Sequence, residues 1–316
     1  MFTWTYDATD GVWKNHALSN ELLKIAARDF VLVRFTKKQP NFGAGMGQSV
    51  TLPYYKALDE PDTPQLDERM RVPIDELEMA GRSITVVEWG RGCGYTNLAD
   101  EFSKVSPKKG GQKRLLDQMN ACMDTGAAAG FKEAKVCFTP TSASAGTIDT
   151  DGAHSVAATS NLTAAHVGLI RDYMVNDLHV PYFEGGDYIG TVATKGLRGL
   201  KNDTALQEWH KYLAKGDIIF KSEVGKVENV RFVEVSHEQA LSNGVGTGSV
   251  LGEGLIFGDD AVRRVEVDSP HLRADPNYKG DFGRRKAIIW YGLIAFGSTF
   301  MTADDREARI VRIGSL

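Results

Sequence analysis

The sequence predicts an α+β fold, and three observations carry that reading. A β-rich stretch runs over residues 48–91. A long helix with one apolar stripe follows at Gln112–Ala129. Strands alternating with helices then fill the rest of the chain. A helix between two such halves can serve as a spine on which both pack.

Bulk properties bound the function. The 316 residues suffice for one large or two modest domains. Hydrophobic residues make up 42% and charged residues 25%, the balance of a soluble globular protein. The net charge of −4 argues against a protein that grips nucleic acid through a dominant basic field. Cys93, Cys122 and Cys137 have no paired spacing, so neither a disulfide framework nor a zinc site is expected. The N-terminus lacks the pattern of a signal peptide, and no apolar run reaches the length of a membrane span.

The elements follow in order. Leu18, Leu22, Ile25 and Ala26 share a helical face over Asn15–Asp29. Phe30–Phe35 switches to β-branched and aromatic residues and reads as a short strand. The loop Gly43-Ala44-Gly45-Met46-Gly47 invites a phosphate-cradle reading. That reading needs a helix directly after the glycines, and strand-like Ser49–Tyr55 follows instead. Residues 48–91 read as extended strands joined by turns, with a charged, proline-marked tip around Asp59–Pro64. Pro53 and Pro73 demand edge positions. A long two-stranded excursion has little core of its own and must lie on its own body or on another subunit.

Tyr95–Val105 reads as a helix capped at Thr96 or Asn97, with Leu98, Phe102 and Val105 as its stripe. Pro107 and Gly110-Gly111 should break it before the spine helix begins. In the spine, Leu115, Met119, Cys122, Met123 and Gly126 form the apolar stripe. Lys113, Arg114, Asp117, Gln118 and Asp124 lie off it. After a strand at Ala134–Phe138, Thr139–Asn161 is a connector poor in large apolar residues, a surface excursion or a hinge. Leu162, Leu169, Tyr173 and Met174 line a helix that ends near His179-Val180-Pro181. Strands are expected at Tyr188–Ala193, Ile218–Phe220 and Val230–Val235, with a helix from Asp203 through Leu213. Gly244–Gly248 is a flexible loop. Leu255–Ala261 is a strand running into a short helix, and Ser269–Gly283 is irregular. Lys286–Ala295 and Glu307–Ile313 are buried or half-buried closing strands.

Chemistry is sparse. No metalloprotease helix, lysine-bearing phosphate loop or nucleophile elbow occurs. The seven histidines are scattered without partners at ligand spacing. Asp149-Thr150-Asp151-Gly152 lacks the further ligands of a calcium loop and reads as a polar turn. Asp259-Asp260 and Asp304-Asp305 are neighbours that need not face each other. No catalytic, cofactor-binding or metal-binding residue is assigned, and no cofactor is expected.

Taken together, the chain resembles the tailed-phage major capsid proteins, and most closely the family named after phage N-four, with the Hong Kong 97-type fold. The stretches that carry the likeness are Leu18–Leu22 leading to Phe35, Gly47–Tyr55, and the spine helix ending near Asp124. Asp187–Gly190 through Asn202-Asp203, Gly216–Ile218 into Val230–Glu234, and Phe257–Ala261 complete it. The likeness covers nearly the whole chain.

The resemblance implies a layout: an N-terminal arm over 1–47, an extended β loop over 48–91, and a peripheral domain with the spine helix over 92–138. A mixed α/β axial domain over 139–260 and a return to the peripheral domain over 261–316 complete it. It further implies pentamers and hexamers of identical chains closing into an icosahedral virion shell around double-stranded DNA, without sequence-specific binding. A portal and, optionally, a decoration protein would join them. Because the chain opens with arm-like sequence, a separate scaffolding protein is expected. No self-crosslinking lysine–asparagine pair is identified. A ring of chains offers the excursion a neighbour through head-to-tail contacts. Leu52, Tyr54, Tyr55 and Ile74 are the candidate anchors, at about 25 cal/mol per Å² buried. Asp59, Glu60, Asp62, Arg69 and Arg71 offer rim ion pairs of ~0–1 kcal/mol each. Two other readings stand beside this one: an encapsulin-like compartment, and an α/β nucleotide-binding enzyme using Gly43–Gly47.

Overall fold

A computed structural model describes residues 30–58, 61, 64–66, 68–69, 71–103, 106–204, 223–244, 251–276, 280, 282–303 and 306–314. The expected helix over 15–29, most of the one after Asp203, the strand over 218–220 and most of the 244–248 loop lie outside them. Two compact units emerge. The smaller contains Arg91–Asp117 and Leu272–Trp290; the larger contains Arg28–Gly90, Gln118–His271 and Tyr291–Leu316.

The described chain enters through a 3₁₀ turn, Leu32–Phe35, not the expected strand. Leu32 and Phe35 are three residues apart, and that spacing sends both into the core. The two-residue strand β1 (Lys37–Lys38) follows. The loop over 43–47 then holds Gly45 and Gly47 at positive φ and leads directly into strand β2 (Ser49–Tyr55), with no helix after it. Next come β3 (Met79–Thr85), β4 (Val87–Thr96) and a short helix α1 (Asn97–Phe102). Thr96 caps α1 by accepting the Ala99 N–H at 3.2 Å.

The spine helix α2 runs over Pro107–Lys132, 26 residues, which places it earlier than expected. Pro107 occupies the first position, where its missing N–H costs nothing, and the preceding helix has ended at Phe102, so the break between the two helices falls where Pro107 was expected to make it. Gly110 and Gly111 are carried along inside it. Of the expected stripe, Leu115 and Met123 are buried and Met119, Cys122 and Gly126 half-buried. Asp124, expected off the stripe, is fully buried.

Strand β5 (Cys137–Pro140) pairs antiparallel with β6 (Gly146–Asp149), so part of the expected connector is a hairpin. Phe138 folds over Gly146, where an added Cβ would lie 2.2 Å from its ring; backbone contact replaces the large side chains missing here. Helix α3 (Ala164–Asp172) continues as a π turn over Tyr173–Asp177. Strand β7 (Tyr188–Ala193) lies where the sequence places it. A short helix α4 (Leu197–Lys201) follows. The Asp203 carboxylate accepts the N–H of Ala164, the first residue of α3. Then come β8 (Glu223–Val227), β9 (Val230–Val235) and β10 (Gly254–Phe257). The expected short helix after β10 is a turn, with Asp260 at φ 53°, that opens the long strand β11 (Val262–Asp275). Much of the stretch expected to be irregular is therefore strand. β12 (Arg285–Ser298) and β13 (Ile310–Ile313) close the chain.

Seven strands form a mixed sheet in the order β6-β5-β13-β10-β7-β9-β8. Its alternation sorts two cores. Tyr188, Val192, Val230, Phe232, Ile256 and Val311 pack with Val167, Ile170 and Met174 from the α3 side. Ile189, Val233, Leu255, Phe257 and Ile310 belong to the cluster with Ala127, Ala128 and Phe131 of α2 and with Leu32 and Phe35. Both faces are covered, so the central strands read as continuous apolar runs. A second sheet has the order β1-β11-β12-β4, and β2 and β3 form a separate two-stranded ribbon.

Candidate functional site

The ribbon of β2 and β3 is the feature that calls for explanation. Its seven-residue antiparallel register runs from Ser49–Thr85 to Tyr55–Met79. Pro53 faces Gly81, and both strands are edges, so the missing proline N–H leaves no central ladder broken. Ser49 and Thr85 hydroxyls meet at 2.9 Å, and Lys56 pairs with Glu78 at 3.0 Å.

Only the base of the ribbon has a core. Leu52, Ile84 and Val86 are buried with Val265 and Ala295. Gly297 lets Ile84 approach, since a Cβ there would meet it at 2.9 Å. Arg82 pairs with Glu133 just past α2 at 2.9 Å. Leu52, one of the candidate anchors, is thus packed within its own chain at 8% exposure. Tyr54 is half-buried and lies 5.0 Å from the Phe300 ring, so it too is partly used within the chain.

From Tyr55 onward the large apolar side chains of the described residues up to Met79 are exposed. Tyr55 is 65% exposed and Ile74 90% exposed, and Leu58, Leu66, Val72, Leu77 and Met79 are exposed as well. Arg69 and Arg71 are exposed. Asp59, Glu60 and Asp62 lie outside the described residues. So many exposed large apolar side chains within one segment of the chain point to an interaction surface. The sequence missed Leu58, Leu66, Val72, Leu77 and Met79; their signal was apolar residues alternating with acidic ones in a stretch too short of core to bury them.

The smaller unit has an exposed surface of its own. Asn97 N–H donates to the Arg284 carbonyl at 2.9 Å, and Lys286 lies 3.8 Å from Asp100. Gly92 faces Ile289 so closely that a Cβ would sit 2.5 Å from it. Of the expected stripe Leu98, Phe102 and Val105, the last lies outside the described residues and the first two are exposed, because this six-residue helix buries none of its side chains. Phe282, between Gly280 and Gly283 at positive φ, is 100% exposed. Residues 91–117 and 272–290 carry eleven basic and five acidic side chains, whereas residues 56–78 carry three basic and eight acidic.

Several of the described polar groups pair within the chain. His166 accepts the Thr163 N–H, and burial pushes its pKa down. His154 pairs with the Thr139 hydroxyl at 2.7 Å. His237 faces Asp124 at 3.4 Å. His16 and His210 lie outside the described residues. Asp260 pairs with Arg263 and approaches Arg309. Asp149 and Asp151 accept the N–H groups of Ser155 and Ala153, as a polar turn does. Among the described residues no group of three His, Cys, Asp or Glu is placed to hold a metal, and no helix is long and apolar enough to cross a membrane.

No protein-family model and no curated protein sequence matches the chain. Solved structures do. The capsid of Ralstonia phage GP4 matches with a TM-score of 0.69 at 14% identity, over 99% of both chains. The cyanophage Pam1 capsid asymmetric unit gives 0.67 at 12%, again over 99% of both. The acidic stable capsid of Helicobacter pylori bacteriophage KHP30 gives 0.62 at 13%, over 99% of this chain and 98% of that one. The chain therefore has the fold of these phage capsid proteins, the Hong Kong 97-type α+β fold, over essentially its whole length.

Proposed function

We propose that this chain is the major capsid protein of a tailed double-stranded DNA phage. It is a structural, non-catalytic subunit that assembles into the virion's icosahedral head. The observation that carries the reading is a ribbon with a core only at its base, on a chain that matches phage capsid subunits from end to end. The ribbon's bare, acidic apolar stretch lies across the basic, apolar-studded surface of residues 91–117 and 272–290 on a neighbouring copy. Head-to-tail contacts of this kind close into rings. Opposite net charge orients the two surfaces, and Tyr55, Ile74, Leu58, Leu66, Val72 and Leu77 supply the apolar contact.

The finer assignments belong to the same proposal. The chain is a member of the N-four-like capsid family, with an arm over 1–47 and an extended loop over 48–91. A peripheral domain over 92–138 and 261–316 and an axial domain over 139–260 complete the subunit. A separate scaffolding protein, a portal and an optional decoration protein are its partners, and DNA is enclosed without sequence readout. The net charge of −4 suits a container from which DNA must leave, since affinity climbs steeply with each phosphate neutralised.

The test is electron microscopy and sedimentation of the purified protein, with its scaffold where one is required. Megadalton shells are expected, and a variant lacking residues 56–72 should remain as small oligomers. Normal shells from that variant would refute the ribbon's role. A small discrete oligomer with saturable nucleotide binding would replace the capsid reading with an enzyme.

A further inference from the structure

Where the ribbon leaves its base there is an open cleft of about 210 Å³. Tyr54 and Tyr55 form one wall, residues 178–181 another, and Phe300 with residues 306–309 the third. The walls are fixed by backbone contacts. The Tyr188 hydroxyl donates to the Val180 carbonyl at 2.8 Å, Asp259 N–H to the Pro181 carbonyl at 3.1 Å, and Gly258 N–H to the Arg309 carbonyl at 3.2 Å. Gly258 is required for the close approach, because a Cβ there would lie 2.2 Å from the Pro181 carbonyl oxygen. The cleft is therefore built into the core of the larger unit.

Glu307 lines this cleft at 9% exposure, and its Oε1 has no hydrogen-bond partner among the described residues. Burying a carboxylate oxygen without a partner is costly, and such an atom is normally paired. Among the described residues, the cations that line the cleft form no ion pair with it. Arg309 is engaged elsewhere: it stacks over the Phe300 ring at 3.8 Å, donates to the Asp259 carbonyl at 3.1 Å and lies 4.0 Å from Asp260. Arg306 and His179 are exposed on the rim, and His179 is bonded to the Val175 carbonyl at 2.8 Å.

We infer that this cleft receives a lysine or arginine side chain from a second copy of the chain, with Glu307 as its counter-charge. The inference rests on the shell reading above. Three features favour that occupant. A buried carboxylate selects a cationic donor. The tyrosine rings beside it attract cations through their faces. And the cleft adjoins Tyr55, where the bare ribbon starts, while residues 91–117 and 272–290 offer an excess of basic side chains.

The test compares dissociated subunits with assembled particles. Glu307→Gln replaces the carboxylate whose Oε1 the described residues leave without a partner, so the subunit's Tm should rise by about 2 °C. The same change removes the counter-charge from the interface, so the particles should dissociate at lower urea. Tyr55→Ala, at an exposed position, should leave the subunit's Tm unchanged and weaken the particles. Combined with Glu307→Gln it should be non-additive in particles and additive in subunits. Arg306→Ala should leave the subunit's Tm unchanged. A Glu307→Gln subunit of lower Tm, particles of unchanged or greater urea resistance, or a subunit weakened by Arg306→Ala would each overturn the inference. Wild-type protein that forms no particles at all would overturn the shell reading itself, and the occupant with it.

Discussion

Leu32 and Asp124, 92 positions apart, are joined by a 2.7 Å hydrogen bond from the backbone N–H of Leu32 to Oδ1 of Asp124. Val33 N–H reaches the same oxygen at 3.4 Å, and His237 Nδ1 lies 3.4 Å from Oδ2. The carboxylate thus caps the 3₁₀ turn from the middle of the spine helix. It joins the start of the described chain, α2 and the segment after β9 at one buried point.

Removing that cap should be expensive. Asp124→Ala leaves the Leu32 N–H buried without an acceptor, a loss of about 1–3 kcal/mol. Urea unfolding of the subunit checks it: the midpoint should fall while the slope stays the same.

Asp124→Asn keeps the acceptor and removes the charge, which makes the pair sensitive to pH. Burial raises the Asp124 pKa above its ordinary 3.8, against the opposing hydrogen bonds from Leu32, His237 and Val33. A carboxyl group with a raised folded-state pKa contributes stability that is full below its unfolded value. That stability is lost as pH climbs through the folded value. The Asn variant should therefore match wild type in acid and gain on it as pH rises from about 4 toward neutrality. A difference in unfolding free energy that stays flat across this range would refute the assignment.

What the sequence made legible, and what it hid, follows from where each side chain's partners lie. Tyr188–Ala193 and Val230–Val235 were readable because both faces of the sheet are buried, so every position carries the signal. Phe30–Phe35 misled because Leu32 and Phe35 enter the core from a 3₁₀ turn whose acceptor is 92 residues away. Gly110-Gly111 read as a break, but the helix that starts at Pro107 runs through both. Ser269–Asp275 hid as a strand because none of its side chains is buried. The ribbon itself was legible as a stretch without a core, but Leu52 was not assignable, since its partners Val265 and Ala295 lie more than 200 residues on. Glu307 gave no signal at all; a buried carboxylate oxygen without a partner among the described residues is visible only in three dimensions.

Gly258 tests the cleft's construction. Gly258→Ala would press a methyl group to 2.2 Å from the Pro181 carbonyl oxygen, and backbone cannot step aside as a flexible side chain does. The expected cost is about 1–3 kcal/mol. It should appear as a lower Tm of the subunit and as faster hydrogen exchange at Asp259, whose N–H donates to the same carbonyl. Gly45→Ala makes a useful contrast. Nothing lies within 4 Å of its Cβ position, so any cost there comes from φ 87° alone.

Cys137 separates burial from reactivity. It is fully buried in β5, and burial pushes its thiol pKa up, whereas Cys93 and Cys122 are half-buried. A thiol reagent should modify Cys93 and Cys122 in the folded subunit and reach Cys137 only at the rate of unfolding. Equal labelling of all three would place Cys137 outside the core.

Ile74 separates folding from assembly. At 90% exposure it contributes almost nothing to its own chain's core. Ile74→Asp should therefore change the subunit's unfolding free energy by no more than about 0.5 kcal/mol, the usual range for an exposed site. In a shell, the same side chain would lie against a neighbour that carries an excess of positive charge, so aspartate keeps electrostatic attraction while forfeiting apolar contact. Ile74→Lys forfeits both. Two sedimentation profiles at equal subunit stability then rank the forces: particles lost equally in both variants assign the contact to apolar burial, and loss confined to the lysine variant assigns it to charge. Full-sized particles of unaltered stability from both would place residue 74 outside the interface.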